Sequence, residues 1–161
     1  MHGCLAGIQF DMKSIDIYLD IDGVLVGTQS PKEDVVELLH WIMINNPDNT
    51  YWLTTHCQRG SNRCSEYLKR NHFPEHIVET ASCLIKPTDW DVLKTEAIDF
   101  TKEFVWLEDD PLQIEIEVLK EKAALNRLLI MDKHNPQMAK LALKQLIALS
   151  EKLDRQASNL N

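Results

Sequence analysis

Short apolar blocks of strand length alternate along this chain with segments of helical periodicity, and this alternation constrains the fold more strongly than any other feature of the sequence. The clearest block, residues 15–19, ends in acidic residues and Gly23, as a buried parallel strand does where it meets a loop. Strands that alternate with helices of ten or more residues form right-handed βαβ units, whose helices cover both faces of a parallel sheet. The pattern therefore predicts an α/β fold, a three-layer α/β/α sandwich with a mainly parallel, five-stranded, Rossmann-like sheet.

The other elements are predicted from the same periodicities. Ser30, Pro31 and Glu33 have the arrangement of a capping box with proline at the first helical position, which predicts a helix that stops near residues 46–47. Thr88 or Asp89 is predicted to cap a later helix. The predicted strands after the first are residues 51–54, 77–85, 104–107 and 127–131, and the predicted helices after the first are residues 62–70, 88–101, 110–125 and 136–155.

The length and composition are those of one globular domain. The chain has 161 residues, 44% of them hydrophobic, and no linker or repeat interrupts the pattern. We therefore expect a single domain over residues 1–161, with a core at about 14–155, a loose leader at 1–13 and a polar tail at 156–161. The sequence carries no export signal and no apolar run of the roughly 18 residues that a membrane span needs, so it predicts a cytoplasmic protein with no membrane partner. Its four cysteines, Cys4, Cys57, Cys64 and Cys83, are accordingly expected to be reduced.

The charge of the chain restricts its partners. Its formal net charge is −8, with 25 acidic against 17 basic residues, which repels polyanions over most of the surface. Extended nucleic-acid binding is therefore not expected. A site for one phosphate group is compatible with this charge, because a bound divalent cation can invert the local field.

Polar residues directly follow three of the predicted strands. Asp20 and Asp22 follow the first strand, Thr54 and Thr55 end the second, and residues 108–110 follow the strand at 104–107. In an open parallel sheet, ligands bind beyond the carboxyl ends of the strands. The sequence therefore predicts that these side chains line one cleft.

The acidic residues of this cleft predict a magnesium site. Asp20 and Asp22 would share one face of a continuing strand, and a hard dication with oxygen ligands relieves the repulsion between their carboxylates. The predicted ligands are Asp20, Asp22, Asp109 and Asp110, with Glu108 as a further candidate, since Asp110 could instead cap the helix that opens at Asp110-Pro111.

This arrangement is suited to phosphoryl transfer. With the phosphate charge neutralised by the cation, Asp20 can attack phosphorus and form an aspartyl-phosphate, which splits one slow hydrolysis into two easier steps. Asp22 is then the general acid for the leaving alcohol and later the base for water. Thr54 would hydrogen-bond a phosphoryl oxygen, with Thr55 also in contact with the substrate, and a lysine would balance the negative charge.

Taken in order, these motifs resemble those of the haloacid dehalogenase superfamily: Asp20-Ile21-Asp22-Gly23-Val24, then Thr54, then a lysine, then Glu108-Asp109-Asp110. Lys94 is the preferred lysine, because its spacing of 15 residues to Asp109 is similar to that in the capless carboxy-terminal-domain phosphatases. Lys86 is the alternative, and its spacing of 23 residues resembles that in capped members that act on small molecules.

The spacing between motifs leaves no room for the cap domain that most members of this superfamily carry. Only 31 residues separate Asp22 from Thr54, and only 39 separate Thr54 from Lys94. The resemblance therefore implies a capless, Mg²⁺-dependent phosphomonoesterase. Its open cleft would accept a bulky phosphorylated substrate, or a partner subunit such as a second copy of the chain would close it.

Two other functions remain as alternatives. The first is a phosphorylatable signalling module similar to response-regulator receivers, although receivers place the phosphorylated aspartate after the third strand and have no second acidic cluster after the threonine. The second is a catalytically silent binding protein that retains the fold. The sequence does not indicate the class of the phosphorylated substrate.

Overall fold

The computed structural model describes residues 15–27 and 31–158. Five strands form one sheet in the order β3-β2-β1-β4-β5, and every neighbouring pair is parallel. The predicted α/β fold class is confirmed, with an entirely parallel sheet. The strands are β1 (Ile15–Leu19), β2 (Thr50–Trp52), β3 (Lys86–Pro87), β4 (Glu103–Glu108) and β5 (Leu128–Ile130); the α-helices are α1 (Glu33–Asn45), α2 (Cys64–Arg70), α3 (Glu75–Leu84), α4 (Gln113–Glu121) and α5 (Met138–Ser158).

Alternate residues of the two central strands face two separate cores, as the two-residue period of a strand requires. On one face, Ile17 and Leu19 of β1 pack in a core that includes Leu38 of α1 and Leu146 of α5. On the other face, side chains of β1 and β4 form a second core together with Leu119 of α4; the strand residues in it are Tyr18, Phe104 and Trp106. Helices therefore cover both faces of the sheet, and its carboxyl edge is left for the site.

The prediction of a strand at residues 77–85 is wrong. This segment belongs to α3, and its buried side chains Ile77, Val78 and Ala81 recur at helical spacing and join the first core. The strand that pairs with β2 is only the dipeptide Lys86–Pro87 that follows the helix. A short block rich in apolar and β-branched residues is ambiguous between a strand and a buried helix, and here the helical period decides.

The prediction of a helix at residues 88–101 is also wrong. Within it, only Lys94–Ala97 is helical, as a single 3₁₀ turn. The reason lies in Glu96, whose carboxylate accepts hydrogen bonds from the backbone N–H groups of Asp91 at 2.9 Å and Leu93 at 3.0 Å. A side chain that satisfies the preceding backbone in this way favours a looped conformation over a continuous helix.

Several helix ends differ from the prediction. Lys32 is the N-cap of α1, so Pro31 is not its first helical residue, and Ser30 lies outside the described residues. Leu112 is the N-cap of α4, so Asp110 does not cap that helix, which ends at Glu121. Helix α5 begins at Met138 and continues to Ser158, three residues into the segment predicted as a tail.

Two observations concern the predicted compartment. In the described part of the chain, no helix combines the length and apolar character needed to cross a membrane. Cys57 and Cys64 are buried free thiols whose sulfur atoms lie 3.2 Å apart, and Cys83 is a free, exposed thiol. Cys4 and the predicted leader lie outside the described residues.

Candidate active site

A cleft of about 620 Å³ opens at the carboxyl ends of the two central strands, β1 and β4. Most of the residues that the sequence predicts for a site line this cleft, although they are far apart along the chain. Those that line it are Asp20, Asp22, Thr55, Lys94, Glu108, Asp109 and Asp110. The strand-end rule for parallel sheets explains why they meet here.

Three carboxylates form the centre of the cleft, and we call Asp20, Glu108 and Asp109 the acidic cluster. Each offers an oxygen, and these three oxygens lie within 4.8 Å of one another. Asp20 and Glu108 are buried, and Asp109 is partly buried. Like charges at this separation repel, so full ionisation of the three carboxyl groups requires nearby positive charge.

Lys94 supplies part of that charge. Its ammonium nitrogen lies 2.9 Å from Oδ2 of Asp20 and 2.6 Å from Oε2 of Glu108, and its side chain is only 12% exposed. Burial alone would lower the pKa of Lys94, but the two carboxylates outweigh it and raise this pKa, so the ammonium stays charged. Lys94 therefore links the ends of β1 and β4 electrostatically.

The pKa of the Glu108 carboxyl group is strongly raised. Its burial and the neighbouring charge of Asp20 raise the pKa of Glu108 to about 8, although Lys94 acts in the opposite direction. The second oxygen of Glu108 accepts a hydrogen bond of 3.3 Å from the backbone N–H of Asp110. Strongly perturbed pKa values are concentrated at functional sites, so this carboxyl group supports a functional role for the cleft.

Lys86, the alternative lysine, is not brought to the cleft. It is exposed on the edge strand β3, and its ammonium donates to the backbone oxygen of Asp48 at 2.5 Å and lies 5.5 Å from the ring centre of Tyr51. Asp48 precedes β2, so this side chain extends toward the amino end of the sheet. The structure thus brings together Asp20 and Lys94 but not Asp20 and Lys86.

Gly23 makes the close approach of the β1 loop to the acidic cluster possible. Its φ angle is +75°, and a Cβ atom at this position would lie 2.0 Å from Oδ2 of Asp109. Its backbone N–H also donates to the carbonyl oxygen of Val26 at 2.8 Å, which closes the turn. Glycine is therefore required here both for its backbone conformation and for the space it leaves.

The carboxylate of Asp22 lies outside the acidic cluster. Its side chain is 49% exposed, Nε2 of His56 lies 3.0 Å from its Oδ2, and the hydroxyl of Tyr67 donates to its Oδ1 at 2.5 Å. The structure therefore does not place this carboxylate among the three that could share a cation. Asp110 also lies outside that group, exposed at the rim of the cleft.

The two threonines have different environments. Thr54 is fully buried, and its hydroxyl oxygen has no hydrogen-bond partner among the described residues. Thr55 is exposed, begins the 3₁₀ helix Thr55–Gly60 and lines the cleft. A buried hydroxyl without a partner is costly, but Thr54 is not among the residues that line the cleft, whereas Thr55 is.

Several residues near the site are not among those that the sequence predicts. Lys133 and His134 line the cleft, and the ammonium of Lys133 lies 3.3 Å from Oδ2 of Asp109. They follow the last predicted strand, so the strand-end rule applied once more would have found them. Tyr67 contacts Asp22 from α2, and Glu115 of α4 accepts the backbone N–H of Lys94 at 2.7 Å; no local sequence signal marks either role.

A scan against protein-family models finds no match for this chain. Searches of the curated proteins and of the solved structures also find none.

Proposed function

We propose that this protein is a capless, Mg²⁺-dependent phosphohydrolase of the haloacid dehalogenase type that acts on phosphomonoesters through an aspartyl-phosphate on Asp20. The observation that carries the proposal is the contact of one buried ammonium, that of Lys94, with Asp20 and Glu108 inside the acidic cluster. Phosphoryl transfer needs a nucleophilic carboxylate, a lysine that balances its charge, and further carboxylate oxygens for a cation. All of these lie at the carboxyl edge of the sheet.

The acidic cluster has a donor set suited to magnesium. Mg²⁺ binds oxygen ligands at about 2.1 Å, so opposite ligands of one ion stand about 4.2 Å apart, comparable with the spread of oxygens in the cluster. Asp20 and Asp109, with Glu108, would hold the ion. When bound, it would neutralise the phosphate and make phosphorus more electrophilic.

Each of the other residues has its own role in the proposed reaction. Asp20 attacks phosphorus, while Lys94 offsets the negative charge that accumulates between nucleophile and phosphate. Asp22, which lines the cleft but lies outside the acidic cluster, gives a proton to the leaving alcohol and then takes one from water. The hydroxyl of Thr54 donates to a phosphoryl oxygen, which would satisfy a group that otherwise has no partner among the described residues.

The absence of an inserted domain supports the capless form of the proposal. In the described residues, α1 is the only helix between Asp22 and Thr54, and α2 and α3 are the only α-helices between Thr54 and Lys94. Helix α3 packs its apolar side in the first core, so it belongs to the helical layer rather than to a cap. An open cleft of this kind leaves the class of phosphorylated substrate unrestricted by a lid.

The test is a phosphatase assay with matched aspartate variants. Wild-type protein should hydrolyse p-nitrophenyl phosphate in the presence of Mg²⁺ and not in EDTA, and Asp20→Asn should abolish turnover. Asp16→Asn is the control, since Asp16 is also buried on β1 but lies at the opposite end of the strand. Wild-type protein without turnover would overturn the proposal. A stable aspartyl-phosphate formed from a small phosphodonor would then favour a receiver-like module, and neither activity would favour a binding protein.

A further inference from the structure

Asp22 is held by two side chains from two other elements. Nε2 of His56, in the 3₁₀ helix after β2, lies 3.0 Å from one carboxylate oxygen, and the hydroxyl of Tyr67, in α2, donates to the other at 2.5 Å. The contacts span 34 and 45 residues of sequence, so tertiary packing alone creates them.

The two partners also support each other. The rings of His56 and Tyr67 stack with their centres 3.9 Å apart and their planes 28° from parallel. The side chain of His56 is 17% exposed, whereas that of Asp22 is 49% exposed, so the stacked pair stands behind the carboxylate and leaves its other side open to the cleft. The stacked pair therefore holds the Asp22 side chain in one orientation.

We infer that His56 and Tyr67 are positioning residues that fix the carboxylate of Asp22 for proton transfer to the leaving alcohol, an inference that rests on the proposed function. Each carboxylate oxygen has two lone pairs, so each keeps one free for the transferred proton while it accepts a hydrogen bond. Misplacing a catalytic group by about 1 Å can cost about 100-fold in rate, which is why a fixed orientation matters.

A general acid matters most when the leaving group is poor. An alkyl oxygen departs slowly unless it is protonated, whereas p-nitrophenolate departs readily without a proton. Loss of the support should therefore reduce the rate for an alkyl phosphate much more than the rate for p-nitrophenyl phosphate. A purely structural role would reduce both by the same factor.

The experiment compares Tyr67→Phe, His56→Gln and the double variant with the wild type on glycerol phosphate and p-nitrophenyl phosphate. The parameter is kcat/KM, since it covers the steps up to departure of the leaving group. We expect each single variant to lose about 10-fold or more on glycerol phosphate, within the range that general acid catalysis contributes, and less than about 3-fold on p-nitrophenyl phosphate. Tyr51→Phe is the control, because this phenol stacks on Tyr18 on the core face of the sheet rather than lining the cleft.

A spectroscopic readout tests the geometry without turnover. In metal-free wild-type protein, the imidazole ¹⁵N shifts of His56 should show the proton on Nε2, where it can be donated to Asp22, and Asp22→Asn should change them. A proton on Nδ1 would overturn the role of His56.

The kinetic outcomes separate this inference from the proposed function. Equal losses on both substrates, or no loss, in variants that retain the wild-type melting temperature would overturn the inference while turnover that depends on Asp20 leaves the function standing. Wild-type protein with no phosphatase turnover would overturn both.

Discussion

The ammonium nitrogen of Lys94 lies 2.6 Å from Oε2 of Glu108, a contact between a single 3₁₀ turn and the last residue of β4. Both side chains are nearly inaccessible, and Asp20 shares the same ammonium. In a buried environment the attraction between opposite charges is little screened. The repulsion between like charges is equally unscreened once the opposite charge is removed. Lys94 is therefore the residue on which the electrostatic balance of the cleft depends.

Replacing Lys94 with Met should destabilise the protein and abolish turnover. The variant leaves the buried carboxyl groups of Asp20 and Glu108 without their shared ammonium, and breaking the buried ion pair with Asp20 costs about 3 kcal/mol. Urea unfolding followed by tryptophan fluorescence in EDTA measures the free energy. Lys86→Met is the matched control and should change stability by less than about 0.5 kcal/mol, because Lys86 is exposed. Equal effects of the two substitutions would refute the role given to Lys94.

The raised pKa of Glu108 predicts a specific pH dependence of stability. Its carboxyl group has an ordinary pKa of 4.5 when unfolded and about 8 when folded, so between these values the folded protein binds more protons. The free energy of unfolding should therefore fall as pH rises from about 4.5 to about 8, by an amount on the order of a few kcal/mol, and then level off. The measurement is urea unfolding across this window in EDTA.

Glu108→Gln isolates this contribution. The amide cannot ionise, so the variant should lack the part of the slope that Glu108 causes, while every other group is common to both proteins. The difference between the two stability curves then belongs to Glu108. Curves that run parallel from pH 4.5 to 8 would show that burial does not shift this carboxyl group.

The fold was predictable because its strongest signals are periodic. Strands β1, β2, β4 and β5 lie within or close to the apolar blocks that predict them, and the parallel arrangement follows from the helices between them. Helix α3 was mistaken for a strand, because a ten-residue block with its apolar side buried differs little from a strand in composition. The loop before Lys94 was mistaken for a helix, because the bonds that Glu96 makes to its backbone leave no periodic trace.

The site was predictable where it depends on strand ends and not where it depends on packing. Asp20 and Glu108 end or follow their strands directly, so the sheet itself brings them together. The preference for Lys94 over Lys86 depends on the resemblance to the haloacid dehalogenase superfamily. Without it, either lysine could follow the third predicted strand and reach the cleft. The contacts of His56 and Tyr67 with Asp22 form only when α2 packs beside the loop after β2. No sequence pattern in either segment predicts these contacts.

Gly23→Ala should impair the site more than the fold. A residue with a Cβ at a positive φ is strained by about 1–2 kcal/mol, and the new methyl group would also collide with the carboxylate of Asp109. Asp109 can rotate away, but then the acidic cluster loses an oxygen. We expect Mg²⁺ affinity, measured by calorimetry, to fall by about 10-fold or more, since one of three carboxylates no longer contributes.

Gly60→Ala is the matched control for this effect. Gly60 has a φ angle of +72°, close to the +75° of Gly23, but no atom lies within 4 Å of a Cβ built on it. Both alanine variants should therefore lose similar stability, about 1–2 kcal/mol, from backbone strain alone. Only Gly23→Ala should weaken Mg²⁺ binding. Unchanged Mg²⁺ affinity in Gly23→Ala would mean that Asp109 does not take part in the site, and equal weakening in both variants would mean that backbone strain causes the effect.

Thr54→Val should stabilise the protein while it slows catalysis. The hydroxyl of Thr54 is buried without a partner among the described residues, so its desolvation is not compensated. Valine replaces this hydroxyl with a methyl group, and the free energy of unfolding should therefore rise by up to about 1 kcal/mol. Turnover of p-nitrophenyl phosphate should fall by about 10-fold or more, because a donor to the phosphoryl oxygen is lost. Thr50→Val provides the contrast: its equally buried hydroxyl donates to the carbonyl oxygen of Asn46 at 2.7 Å, so this variant should lose about 1 kcal/mol of stability and keep its activity. If both variants lose stability and both keep activity, then Thr54 is an ordinary buried residue with no contact to substrate.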